Sequence, residues 1–128
     1  MAIKISGIID FDELQQRLEL ETVLLIDVRN RTEIASLGKI PNSFNVPMPE
    51  ILAGAFELPK IEFKKKYKFD MPDKNEEFVL TCRSGRRASA AGEYLKGLGY
   101  SKSRVYLGSF NDWVSKGGTV IKDNKVSI

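Results

Sequence analysis

The stretch "FVLTCRSGRRASAAGEYLKGLGY", residues 78–100, predicts a strand, a sharp turn and a helix in direct succession. Its first five residues form a short, largely apolar run, which is typical of a strand buried on both faces. After Gly85, small and apolar residues recur three and four positions apart, and Gly97 or Gly99 can end this helix in the left-handed conformation. The turn contains Cys82, the only cysteine of the chain, and three arginines follow it within five residues.

Two further segments resemble this strand, "TVLLIDVR" at 22–29 and "SRVYLG" at 103–108. Helical patterns alternate with the strands, an early one capped by Asp10 and a late one, "SFNDWVSKGG", capped by Ser109. This order predicts an α/β domain with a central, mainly parallel sheet and helices on both faces. Ligands of such sheets lie beyond the carboxyl ends of the strands, where Cys82 is expected.

The proline-rich segment between these elements predicts two short helices, near Glu50–Phe56 and Lys60–Tyr67, with Phe44 and Asn45 in a turn before them. The basic run "KIEFKKKYKF" at 60–69 is interpreted as a solvated face of a helix or loop. The final "TVIKDNKVSI" fits a small hairpin around residues 123–124 or the edge of a sheet.

Length and composition indicate one ordinary globular domain over residues 1–128, expected to be a monomer, with 42% apolar and 29% charged residues. No apolar run approaches the ~20 residues of a membrane helix, and early acidic residues argue against a secretory signal. A single cysteine cannot form an internal disulfide and fits a reducing compartment, so we expect the cytoplasm, with mitochondria as the alternative. The net charge of +3 is spread along the chain, and no nucleic-acid or membrane partner is expected.

The absence of histidine excludes several kinds of active site. With no histidine and one cysteine, none of the usual zinc ligand sets can be assembled. Ser-His-Asp triads and Cys-His pairs are excluded for the same reason.

The turn after Cys82 has the composition of an anion-binding loop. Gly85 allows a sharp turn, in which successive backbone N–H groups point inward at the start of a helix. These N–H groups, the helix terminus and nearby guanidinium groups would stabilise a Cys82 thiolate without a histidine base. With Arg83, Arg86 and Arg87 at its rim, the loop would attract a small multivalent anion. The alternative is an inert buried cysteine with surface arginines, which the combination of glycine, arginines and strand-to-helix setting disfavours.

Three segments resemble the rhodanese-domain sulfurtransferases. "CRSGRR" at 82–87 resembles their active-site loop, "LIDVRNRTEIASLGKIPNSFNVP" at 25–47 their first signature, and "YLGSFNDWVSKGG" at 106–118 their closing segment. The greatest similarity is to the short single-domain thiosulfate sulfurtransferases of animals, including those that pass sulfur to glutathione. One departure is Lys39, which stands where many members have histidine. That histidine takes no part in the sulfur chemistry of the family.

The resemblance implies a mechanism in which the Cys82 thiolate takes the outer sulfur of thiosulfate as a persulfide and a thiophilic acceptor removes it. Cyanide, glutathione or another thiol would be the acceptor, and no cofactor or metal is implied. The persulfide would be bound by the N–H groups of the loop: Arg83, Ser84, Gly85, Arg86 and Arg87.

Asp27 and Arg29 match the Asp-x-Arg of the family and are expected behind the loop. They either orient the loop or form an ion pair that stabilises the fold, possibly with Glu33 as a partner, and the second interpretation is preferred. Trp113 is expected in the core or a pocket wall.

Other functions remain open at this point. Phosphatases of the same fold have arginine six residues after the cysteine, whereas here that position is Ala88, so the shorter loop suits sulfur better than phosphate. A persulfide carrier with little turnover would have the same loop. Arg83 directly after Cys82 favours thiosulfate over mercaptopyruvate as the donor. A non-catalytic module of this fold usually lacks the cysteine.

Overall fold

The computed structural model describes residues 7–122. The helices are α1 (Phe11–Glu19), α2 (Arg31–Leu37), α3 (Met48–Leu52), α4 (Lys60–Tyr67), α5 (Arg86–Gly97) and α6 (Ser109–Ser115). A single 3₁₀ turn spans Ala55–Glu57. The strands are β1 (Leu25–Asp27), β2 (Ser43–Asn45), β3 (Phe78–Thr81) and β4 (Ser103–Val105).

The strands form a four-stranded parallel sheet in the order β2-β1-β3-β4. In β1, Leu25 lies opposite Ser43 of β2 and Val79 of β3. Pairing continues past the end of β1, since the Val28 N–H donates to the Thr81 carbonyl at 2.8 Å. The carboxyl ends of β1 and β3 therefore lie side by side at the centre of the sheet.

Helices cover both faces of the sheet, as predicted. One apolar cluster joins alternate strand residues such as Ile26 and Leu80 to α3, α4 and α5. The other joins Leu25 and Val79 to α1 and α6. Because strand side chains alternate between faces, Cys82 belongs to the first cluster, with Leu80.

Two elements were missed from the sequence, α2 and β2. Phe44 and Asn45 lie in β2 rather than in a turn. This strand has only three residues and begins with serine and ends with asparagine, so it lacks the apolar run of a buried strand. Helix α2 has no fully buried residue and only two large apolar residues, Ile34 and Leu37, which is too short a pattern to predict a helix.

The start of α6 also differs from the prediction. Asp10 caps α1 as expected, accepting the Glu13 N–H at 2.9 Å. Ser109, in contrast, is not the cap of α6: Gly108 precedes the helix, and Ser109 is its first residue with a φ of 56°. The serine hydroxyl is used elsewhere, at the end of β3.

Two further predictions concern the basic helix and the C-terminal segment. The predicted helix at Lys60–Tyr67 is confirmed as α4, which buries Phe63 and Tyr67 and exposes its lysines to solvent. The predicted hairpin at 123–124 lies outside the described residues, although just before it Ile121 pairs with Lys39 in an antiparallel bridge. In the described range, 7–122, no helix combines the length and apolar character needed to cross a membrane.

Candidate active site

The loop that carries Cys82 joins the end of β3 to the start of α5, as the sequence predicted. Gly85 has a φ of +100°, a conformation that residues with a Cβ rarely adopt. A Cβ at this position would also collide with the backbone carbonyl oxygen of Leu107. Both the turn and the close packing therefore require glycine at residue 85.

Two backbone N–H groups donate hydrogen bonds to the Cys82 sulfur. Its Sγ accepts the N–H groups of Gly85 at 3.0 Å and of Ala88 at 3.4 Å. The Ser109 hydroxyl lies 3.8 Å from the same sulfur. Cys82 is 0% exposed, so these donors act in a setting from which water is excluded. Such donors stabilise negative charge on sulfur more strongly than they would in water.

The first turn of α6 holds the loop in place from the other side. The N–H groups of Phe110 and Asn111 donate to the carbonyls of Cys82 and Arg83, both at 2.9 Å. Ser109 accepts the Cys82 N–H at 3.1 Å through its hydroxyl, which itself donates to the Tyr106 carbonyl at 2.8 Å. Sequence reasoning missed this role of Ser109, because a left-handed, non-glycine helix start leaves no pattern in the sequence.

The three loop arginines fall into two groups. Arg83 and Arg86 are exposed, and neither side chain has an ion pair or hydrogen bond within residues 7–122. Arg87 instead forms a bidentate ion pair with Glu33, at 2.6 and 2.9 Å. The hydrogen bond from Arg87 lowers the pKa of Glu33 to about 2, despite partial burial, which opposes it. The rim predicted from three arginines thus has two unpaired guanidinium groups.

Asp27 and Arg29 pair with each other behind the loop. Asp27 Oδ2 accepts Arg29 Nε at 3.0 Å and Nη2 at 2.8 Å, and both side chains are almost fully buried. Arg29 also donates to the Gly38 carbonyl and stacks 4.2 Å from the centre of the Phe110 ring. An ion pair is therefore present, but it joins Asp27 to Arg29 and does not involve the suggested partner Glu33; that it stabilises the fold stays a prediction.

The Asp27–Arg29 pair and the Cys82 side chain lie on opposite faces of the sheet. Asp27 shares the face of Leu25, and Cys82 that of Leu80. Within the described residues, neither Asp27 nor Arg29 forms a hydrogen bond with a side chain of the loop. Their connection to the loop runs through Phe110, whose N–H binds the Cys82 carbonyl. Trp113 is buried in the core and donates its Nε1–H to the Thr119 carbonyl at 2.7 Å.

Most of the chain, and not only the cysteine loop, matches one protein family. Residues 10–116 match the family described as "Rhodanese-like domain". The chain belongs to the rhodanese-like domain family. Among solved structures, the human single-domain sulfurtransferase TSTD1 superimposes with a TM-score of 0.82 at 30% identity, over 89% of this chain and 100% of that one.

Two relatives that cover most of this chain carry sulfurtransferase names. The human thiosulfate:glutathione sulfurtransferase is 32% identical over 84% of this chain and 93% of its own length. The mitochondrial thiosulfate sulfurtransferase RDL2 of Saccharomyces cerevisiae is 34% identical over 95% of this chain and 82% of its own length. The similarity is therefore not confined to the cysteine loop but extends along most of both relatives.

Proposed function

We propose that this protein is a thiosulfate sulfurtransferase, which moves sulfane sulfur from thiosulfate to a thiophilic acceptor through a persulfide on Cys82. One observation carries the proposal: the buried Cys82 sulfur accepts two backbone N–H groups, from Gly85 of the loop at 3.0 Å and from Ala88 in the first turn of α5 at 3.4 Å. Backbone donors fixed around a sulfur atom suit a reaction in which negative charge passes repeatedly onto that atom. The names of the relatives support thiosulfate as donor and glutathione as one acceptor.

The first half-reaction loads the enzyme. The Cys82 thiolate attacks the outer sulfur of thiosulfate, a new S–S bond forms, and the S–S bond of thiosulfate breaks. The bonding electron pair leaves with sulfite. The terminal sulfur of the persulfide carries the negative charge, which the N–H groups of residues 83–87 and the start of α5 stabilise. The exposed Arg83 and Arg86 attract the anionic donor to the loop.

The second half-reaction returns the enzyme to its thiolate form. A nucleophile attacks the terminal sulfur, the persulfide S–S bond breaks, and its electron pair returns to Cys82. Cyanide would leave as thiocyanate and a thiol as its persulfide. Each half-reaction transfers one sulfur atom and balances without an external oxidant or reductant, so neither half-reaction needs an electron carrier. The two steps predict ping-pong kinetics.

The test of this proposal compares the wild type with Cys82→Ser. Reduced protein is incubated with thiosulfate, its intact mass is recorded, and thiocyanate release is assayed after addition of cyanide. We expect the wild type to gain one sulfur atom that cyanide removes, and the variant to gain none. Loading with almost no turnover would indicate a persulfide carrier. A mass that never changes would contradict the proposal, and a phosphate ester would be the next substrate to test.

We also propose that residues 1–128 act as one rhodanese-like domain, as a monomer, in the cytoplasm. The parallel sheet with both faces covered supports a single unit, and the single cysteine suits a reducing compartment. The mitochondrion is the alternative, because the relative RDL2 is named as mitochondrial. Light scattering coupled to size exclusion would test the monomer, and cell fractionation would test the compartment.

A further inference from the structure

The arginines at the carboxyl edge of the sheet differ in whether a carboxylate pairs with them. Most arginines there contact a carboxylate that neutralises them, whereas the two exposed arginines of the loop do not, within residues 7–122. The paired arginines are Arg29 with Asp27, Arg31 with Glu50, and Arg87 with Glu33. The positive charge left for an anionic ligand is therefore set by which loop arginine has a carboxylate partner.

Glu33 is the residue that makes this difference within the loop. It lies in the first turn of α2, outside the loop itself, and reaches across to Arg87 with both carboxylate oxygens. A bidentate pair of this kind fixes the guanidinium group in orientation as well as compensating its charge. The Arg87 hydrogen bond is the first cause of the lowered pKa of Glu33, about 2, so the carboxylate is charged at neutral pH and stays charged into the acidic range.

Without its pair to Glu33, Arg87 would add its positive charge to that of the cysteine loop. Its pKa is raised first by the hydrogen bond to Glu33, and the Cys82 and Asp27 charges raise it further. Arg87 lies in the first turn of α5, next to Ala88, whose N–H donates to the Cys82 sulfur at 3.4 Å. Without Glu33, the loop would present three uncompensated guanidinium groups rather than two.

We propose that Glu33 is a specificity-determining residue: by neutralising Arg87 it limits the uncompensated charge of the loop to Arg83 and Arg86, and so moderates the preference of the loop for dianionic over monoanionic donors. This rests on the proposed function and concerns how strongly the site distinguishes a dianionic sulfane-sulfur donor, such as thiosulfate, from a monoanionic one. A third uncompensated guanidinium group would attract a dianion more strongly than a monoanion, and it would also retain the departing sulfite.

The experiment compares two donors that differ by one charge. Thiosulfate is a dianion, and methanethiosulfonate is a monoanion with the same transferable sulfur. We expect Glu33→Gln to raise the ratio of kcat/KM for thiosulfate to that for methanethiosulfonate by about threefold to tenfold at low salt, because one more positive charge acts on the donor. The gain should shrink as salt is added. An unchanged ratio would overturn the proposal.

A matched control changes the same charge at the other edge of the sheet. Glu77 precedes β3 and pairs with Arg17 at 2.7 Å and Arg104 at 3.1 Å. Glu77→Gln raises the net charge of the protein as much as Glu33→Gln does, and we expect the donor ratio to stay as in the wild type. A gain of equal size in this variant would mean that net charge, and not the charge of the loop, sets the ratio, and would overturn the proposal.

A second set of variants covers the case in which Glu33→Gln alone does not fold. Arg87→Gln leaves the Glu33 carboxylate unpaired beside the loop, so the donor ratio should fall. Adding Glu33→Gln to Arg87→Gln should return the ratio to the wild-type value. If the ratio stays low in the double variant, Arg87 itself contacts the donor and the proposal is wrong. Intact-mass measurement of sulfur uptake by the wild type is independent of these ratios and separates this failure from failure of the proposed function.

Discussion

Two ion pairs flank the cysteine loop, and they differ in how they are surrounded. Asp27–Arg29 lies behind the loop with side chains 1% and 0% exposed. Glu33–Arg87 lies beside the loop with side chains 21% and 34% exposed. Both pairs join a carboxylate to an arginine, through three side-chain hydrogen bonds in Asp27–Arg29 and two in Glu33–Arg87, so the kind of contact does not distinguish them. Their difference in burial predicts different tasks.

Burial makes the first pair costly to break and the second pair easy to adjust. A charge left alone inside the protein has no water to replace its lost partner, whereas a half-exposed charge is resolvated and screened. Arg29 is already imperfectly satisfied, because its Nη1 has no hydrogen-bond partner within residues 7–122. We infer that the Asp27–Arg29 pair maintains the packing against Phe110 of α6. The Glu33–Arg87 pair instead sets the net charge of the loop that meets the substrate.

The largest effect is expected from Asp27→Asn. This change leaves the Arg29 guanidinium buried and charged, since arginine does not release its proton in proteins. We expect the free energy of unfolding to fall by about 3–5 kcal/mol, as for other broken buried pairs. Urea unfolding followed by circular dichroism measures it. A loss below about 1 kcal/mol would mean that the pair is solvated in solution and that burial does not separate the two pairs.

The second prediction concerns replacing both members of the buried pair. Asp27→Leu with Arg29→Met removes both charges and fills the site with apolar groups, so no buried charge is left alone. We expect this double variant to be more stable than Asp27→Asn by about 1–3 kcal/mol. The same urea titration decides it. A double variant less stable than the single would show that the hydrogen bond to Gly38 and the stacking on Phe110 contribute more than the pair itself.

The place of the buried pair, Asp27–Arg29, was predicted from the sequence better than that of the partly exposed pair, Glu33–Arg87. Strands β1 and β3 are apolar runs, and a run of that kind also places the residues at its end, Asp27 and Cys82, at the same edge of a parallel sheet. The cysteine loop, its glycine turn and the helix after it follow from local pattern. The resemblance to the rhodanese family supplied the expectation that Asp27 and Arg29 lie nearby.

The partner of each charge could not be predicted, for a physical reason. Glu33 and Arg87 are far apart in the chain, and Glu33 lies in α2, a helix without buried residues whose position depends on the surrounding fold. The contact of Ser109 with Cys82 depends on a left-handed backbone at a helix start, which local propensity disfavours. Long-range contacts between polar side chains carry no periodicity in the sequence.

A smaller effect on stability is expected from Glu33→Gln, the change that corresponds to Asp27→Asn in the exposed pair. Arg87 keeps one hydrogen-bond acceptor in the glutamine side chain and gains access to water, so the free energy of unfolding should fall by about 1 kcal/mol or less. The two single variants measured side by side under the same conditions give the comparison. Equal losses would contradict the division of tasks between the pairs.

The smallest effect concerns the pH dependence that Glu33 contributes. Its pKa is lowered from an ordinary value of 4.5 to about 2, first by the Arg87 hydrogen bond. Since the pKa is depressed in the folded state, the contribution to stability is fully present above pH 4.5 and is lost as pH falls towards 2. Because the pair is partly exposed and screened by solvent, this contribution to the free energy of unfolding is about 1 kcal/mol or less.

The measurement compares the wild type with Glu33→Gln by urea unfolding at pH 6 and pH 3. The wild-type advantage at pH 6 should shrink at pH 3, because Glu33 binds a proton more readily in the unfolded chain than in the folded one. Glu50, whose pKa is also lowered to about 2, first by its hydrogen bond with Arg31, titrates equally in both proteins and cancels from the difference. A difference that stays constant between the two pH values would show that the pair with Arg87 does not lower the pKa of Glu33 in the folded protein.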